Sequence, residues 1–151
     1  MYVGGYLGVL QDSEQQLAVS FMLVASRHPA EPEVLAIAPV LAAWSREHAL
    51  RLQPFLDRYG KQQVAAPALH GVLFQGSPLG GRGLLRDLQD LSLLVNDVRL
   101  TWVMLSLAAK ALRDVDLQDA CRTLSEQTLR QLDWLKVHIE DGAPQALIAA
   151  P

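Results

Sequence analysis

Glycine is absent from residues 9–59 and again from residues 84–141 of this 151-residue chain, although ten glycines are present. They gather at the start (Gly4, Gly5, Gly8), near the end (Gly142) and in one intervening stretch (Gly60, Gly71, Gly76, Gly80, Gly81, Gly83). Glycine inside a helix costs roughly 0.5–1 kcal/mol relative to alanine. The distribution therefore predicts two long helical blocks joined by an irregular connection. Each block divides once. His28-Pro29-Ala30-Glu31-Pro32 breaks the first, with Pro32 suited to a first helical turn. Asp114-Val115-Asp116 breaks the second, with either aspartate suited to an N-cap. The spacing predicts helices over 7–27, 31–59, 84–113 and 116–141, and no segment alternates apolar and polar residues as a strand would.

The third helix has the clearest apolar period. Leu84, Leu88, Leu91, Val95, Val98, Trp102, Leu105, Ala109 and Leu112 follow steps of four and three, a buried stripe flanked by Arg86, Asp90, Asp97 and Lys110. The first helix offers Leu7, Leu10, Glu14, Leu17, Phe21 and Val24. The second offers Val34, Ile37, Leu41, Trp44, His48, Leu52, Phe55 and Tyr59. The fourth offers Leu117, Cys121, Leu124, Thr128, Leu132, Leu135 and Ile139. Pro39 and Pro54 each remove a donor inside the second helix, so a bend at both, or a new segment after Pro39, is expected.

Short links within each block make each pair of helices an antiparallel hairpin. The connection over 60–83 could extend to ~80 Å at ~3.3 Å per residue, whereas a helix of about 30 residues is only ~45 Å long. It can run the length of a bundle and leave the second and third helices parallel. The expected fold is one all-α domain, residues 1–151: a four-helix bundle of two antiparallel pairs joined by one long crossover. Residues 70–79 read as spare length whose partial deletion would be tolerated.

Composition narrows function. Half the chain is hydrophobic, 19% is charged and the formal charge is −3, which disfavours a nucleic-acid partner. The lone cysteine, Cys121, cannot form an internal disulfide. No basic region precedes the apolar residues of the N-terminus, and the longest apolar run, Leu100–Leu112, contains Lys110. The expectation is a cytoplasmic chain with no signal peptide and no membrane partner.

The segments Ala42–His48 (AAWSREH), Arg58–Gly60, Leu84–Leu91 (LLRDLQDL), Thr128–Leu135 (TLRQLDWL) and Ala143–Leu147 (APQAL) resemble those of small, uncharacterised bacterial proteins of the ferritin-like superfamily. The resemblance implies a ferritin-like bundle. The superfamily's dinuclear metal site needs Glu-x-x-His on two helices and a Glu on each of the others. Three residues after Glu14, Glu31, Glu33, Glu47, Glu126 and Glu140 stand Leu17, Val34, Ala36, Leu50, Leu129 and Ala143. The motif is missing, so the resemblance implies a retained scaffold without that centre, and no cofactor.

Two polar residues still interrupt apolar stripes on neighbouring helices, Glu14 and His48. They are the candidate remnant metal site or acid–base pair, since a carboxylate beside an imidazole raises the imidazole pKa; a structural hydrogen-bonded pair is the alternative. Elsewhere, Asp87 and Asp90 read as a solvated charged face, and Asn96, Asp97 and Arg99 as a pairing between helices. Cys121 reads as a small core hydrophobe, His70 as exposed loop, and His138 as a cation favoured by a helix C-terminus. Gly80-Gly81-Arg82-Gly83 is a weak anion-binding signal, and Trp44, Trp102 and Trp134 read as core or interface. A second apolar stripe on the third helix (Leu93, Leu100, Ala108, Ala111), with the tail Ala146–Ala150, predicts a homodimer, unless the crossover covers that face through Val64, Leu69, Val72, Leu73 and Phe74. A non-enzymatic protein acting by self-association or partner binding is the favoured reading, with a metal-binding or acid–base role for Glu14 and His48 as the alternative.

Overall fold

The computed structural model describes residues 1–60, 62–66 and 69–149, apart from the side chains of His70 and Ala149. It is an all-α four-helix bundle: α1 Val3–Arg27, α2 Pro32–Tyr59, α3 Gly80–Leu112 and α4 Val115–Pro144. A short 3₁₀ turn, Leu69–Gly71, interrupts the crossover, and a π-turn, Gln145–Ala149, extends α4. The expectation for His70 concerns a side chain outside the described residues.

Side-chain contacts fix the helix directions. The end of α1 meets the start of α3 at Arg27 and Asp87, and their middles meet at Glu14 and Trp102. The end of α2 meets the start of α4 at Arg58 and Asp114, and their opposite ends meet at Glu33 and His138. Both pairs are antiparallel, as are the two hairpins, so α2 and α3 run the same way. The crossover carries the chain from one end of the bundle to the other.

Two helices begin earlier than the glycines suggested. A Cβ on Gly4 would lie 1.9 Å from the Gly60 carbonyl oxygen, and one on Gly83 would lie 2.6 Å from that of Ser77. These glycines sit in the first turns of α1 and α3 because backbone passes against them. Close approach outweighs their poor helix propensity.

Helix α2 runs through Pro39 and Pro54 without starting a new segment. Each proline frees the carbonyl four residues back, on Leu35 and Leu50, and both of those residues are exposed. Water can satisfy the freed oxygens, so the break that proline would cause in a buried stretch is not forced. The α3–α4 turn uses Arg113 in the left-handed region (φ 56°). Asp114 caps α4 by accepting from the Leu117 amide at 3.1 Å. Burial pushes the Asp114 carboxyl up, but Tyr59, Arg58 and the Leu117 amide all donate to it, and it ends below its ordinary pKa.

The crossover is anchored, contrary to its reading as spare length. Phe74 is buried with φ 61°, its amide donates to Asp90 at 2.9 Å, and the Gly76 carbonyl accepts from Arg27 at 2.7 Å.

Candidate functional site

The core at mid-bundle is polar. Glu14 on α1 and His48 on α2, each wholly buried, meet at 3.2 Å between carboxylate Oε2 and imidazole Nδ1. The other carboxylate oxygen accepts the indole N–H of Trp102, from α3, at 3.1 Å. The other imidazole nitrogen meets Gln127 Oε1, from α4, at 2.7 Å. One continuous chain of hydrogen bonds thus joins all four helices. One turn along α4, buried Gln131 donates to the Leu41 carbonyl at 3.0 Å and to Ser45 Oγ at 2.9 Å, while Gln131 Oε1 has no protein partner. Thr128 returns its hydroxyl to the Leu124 carbonyl.

His48 lies between the Glu14 carboxylate and Gln127 Oε1, a setting that favours the doubly protonated imidazolium. Burial pulls its pKa down and is the largest single influence. The hydrogen bond and charge of Glu14, with Gln127 accepting on the far side, outweigh it, and the pKa stands above the ordinary histidine value. Trp102 also meets the imidazole edge-on, with ring centroids 6.2 Å apart.

This donor set is short of ligands for a metal ion. A metal needs a lone pair on an imidazole nitrogen, and both nitrogens of His48 are engaged, by Glu14 and by Gln127. Both oxygens of Glu14 are occupied by N–H donors. Among the described residues no cluster of three or more His, Cys, Asp or Glu side chains could hold a metal. What the network can do is fix register: α1, α2 and α3 contribute wholly buried polar groups, and half-buried Gln127 of α4 closes the chain.

The remaining candidates fall in other places. Asp87 and Asp90 are buried, which corrects the solvated-face reading. Asp87 accepts from Arg27 Nε at 2.8 Å and from His28 Nε2 at 2.7 Å, and Asp90 holds Arg86 as well as the Phe74 amide. Asn96 and Asp97 are exposed and pair with no side chain among the described residues, which corrects their interface reading. His138 is not at a helix end. It donates to the Trp134 carbonyl at 2.9 Å, stacks on the Trp134 ring and meets Glu33 at 2.7 Å. Cys121 is fully buried, and burial, with the charge of Asp114, pushes its thiol up to about 12. Gly81 packs against Ala146 rather than opening a loop.

The outer face of α3 is not covered by the crossover. Leu93, Leu100 and Leu107, spaced seven apart, are 53%, 50% and 64% exposed, and Val103 and Met104 between them are exposed too. This second apolar face, added to the buried one, gives α3 the length and composition of a membrane-crossing helix, although Asp97 and Arg99 interrupt it. Along α3, the described crossover residues meet the start of the helix, at Gly83, Arg86 and Asp90. Set against known protein families, curated proteins and solved structures, the chain has no significant match.

Proposed function

We propose that this chain is a non-enzymatic, ferritin-like helical bundle that works by associating with a second copy of itself through the outer face of α3. The observation that carries the reading is the exposed heptad of leucines, Leu93, Leu100 and Leu107, reinforced by Val103 and Met104. Together these side chains form one contiguous exposed apolar strip along α3, and the largest such patch on a soluble protein is often functional. Their spacing is that of a coiled-coil seam. An acid–base role for Glu14 and His48 is disfavoured because neither side chain reaches solvent and every hydrogen-bonding atom of the pair is engaged within the core.

Light scattering at micromolar concentration tests the proposal. The expected mass is twice 16.6 kDa, falling to the single-chain mass in Leu100→Asp with helical content unchanged, since Leu100 is half exposed. A wild-type mass of 16.6 kDa overturns it.

A further inference from the structure

Resting on that reading, we infer that the two copies pack α3 against α3 in antiparallel register, with the two-fold axis passing beside Leu100. The leucine pattern is symmetric about that residue: Leu93 and Leu107 lie seven positions to either side. An antiparallel pair centred there places Leu100 on its own copy and Leu93 on the partner's Leu107. It also sets exposed Asn96 and Asp97 beside the partner's Met104 and Val103, so that no polar residue of the seam meets its own copy.

Charge selects this orientation over the parallel one. Arg82 and Arg86 are exposed on the same face, beyond Leu93 toward the start of α3. A parallel pair would stack Arg82 and Asp97 on their own copies, and like charges so placed repel. The antiparallel pair carries Arg82 past the end of the partner's α3 and sets Asp97 beside Val103, so neither charge meets its own copy.

Disulfide trapping tests register and association separately. Leu93→Cys, Leu100→Cys and Leu107→Cys are made singly. Native Cys121 stays in place, because it is fully buried and its thiol remains protonated. A disulfide needs Cα atoms about 5.5–6 Å apart. In the antiparallel register the two copies of position 93 are about 21 Å apart along the seam. Mild oxidation is therefore expected to link Leu100→Cys to itself. Leu93→Cys and Leu107→Cys should link when mixed, with on the order of tenfold less product from either alone. Strong self-linking of Leu93→Cys and Leu107→Cys overturns the antiparallel register while leaving self-association standing. A dimer by mass in which none of the three links overturns α3 as the seam. A single-chain mass at all concentrations overturns self-association itself, and the register with it.

Discussion

The indole N–H of Trp102 donates to Glu14 at 3.1 Å, and neither side chain is exposed to solvent. Trp102 therefore serves the bundle twice, as the largest fully buried side chain and as one of two donors that satisfy a buried carboxylate. The two roles can be separated. Trp102→Ala empties the middle of the core and is expected to cost roughly 3–5 kcal/mol. Trp102→Phe keeps much of the ring volume but leaves one carboxylate oxygen unpaired, at an expected cost of about 1–3 kcal/mol. Denaturant unfolding of both variants checks the ordering. A phenylalanine variant as stable as the wild type would mean that the indole hydrogen bond contributes nothing.

The imidazolium of His48 makes stability depend on pH in a defined direction. Its folded pKa is raised above the ordinary 6.5, so the native state holds this proton more tightly than the unfolded chain does. Between 6.5 and the folded pKa the native state binds more protons, and stability falls as pH rises. The contribution is fully present below pH 6.5 and is lost as pH passes through the folded value. Unfolding free energies measured from pH 6 to pH 9 should decline in the wild type. The decline should be shallower in His48→Gln, which cannot bind the proton. Parallel curves for the two proteins would contradict the assignment.

The helical blocks and their buried faces were legible in sequence because a 3.6-residue apolar period and glycine avoidance both act locally. The meeting of Glu14 and His48 was legible for the same reason: each breaks the apolar stripe of its helix. Their other partners were not. Gln127 falls beside the fourth helix's stripe, and Trp102 reads as plain core until its N–H is seen to need an acceptor. Asp87 and Asp90 read as a charged surface because the residues that bury and neutralise them, Arg27, His28 and Phe74, come from the first hairpin and the crossover. A single-helix pattern carries no information about a long-range partner. The glycines at the starts of α1 and α3 misled for a related reason: their cause is another stretch of backbone, not local conformation.

That cause gives a paired test. A Cβ on Gly4 would meet the Gly60 carbonyl oxygen at 1.9 Å, whereas one on Gly8 would find its nearest neighbour, a Leu56 methyl, at 3.9 Å. Gly4→Ala must push α1 away from the end of α2 and is expected to destabilise by about 1–3 kcal/mol. Gly8→Ala stands in ordinary contact inside the helix and should stabilise by roughly 0.5–1 kcal/mol. Thermal unfolding of the two variants should shift in opposite directions. A shared sign would show that backbone approach does not set these positions.

The final prediction concerns the anchor of the crossover. Asp87 is wholly buried and accepts from both Arg27 and His28, while Arg27 also reaches the Gly76 carbonyl. The carboxylate positions the arginine that holds the crossover, and Asp90 secures the same segment through the Phe74 amide. Removing Asp87 strips two buried or half-buried donors of their acceptor, a loss of the kind that costs 3–5 kcal/mol when one partner of a buried ion pair is deleted. The effect should also be local, because Asp87 is what positions Arg27 on the Gly76 carbonyl of this segment. Asp87→Ala is therefore expected to show early protease cleavage between residues 72 and 79, before global unfolding, with α1, α2 and α4 still protected. Deleting residues 71–76 should be more damaging, since it removes Phe74 from the core together with both backbone contacts. Wild-type protease resistance in Asp87→Ala, or a fully stable deletion variant, would return this stretch to the status of spare length.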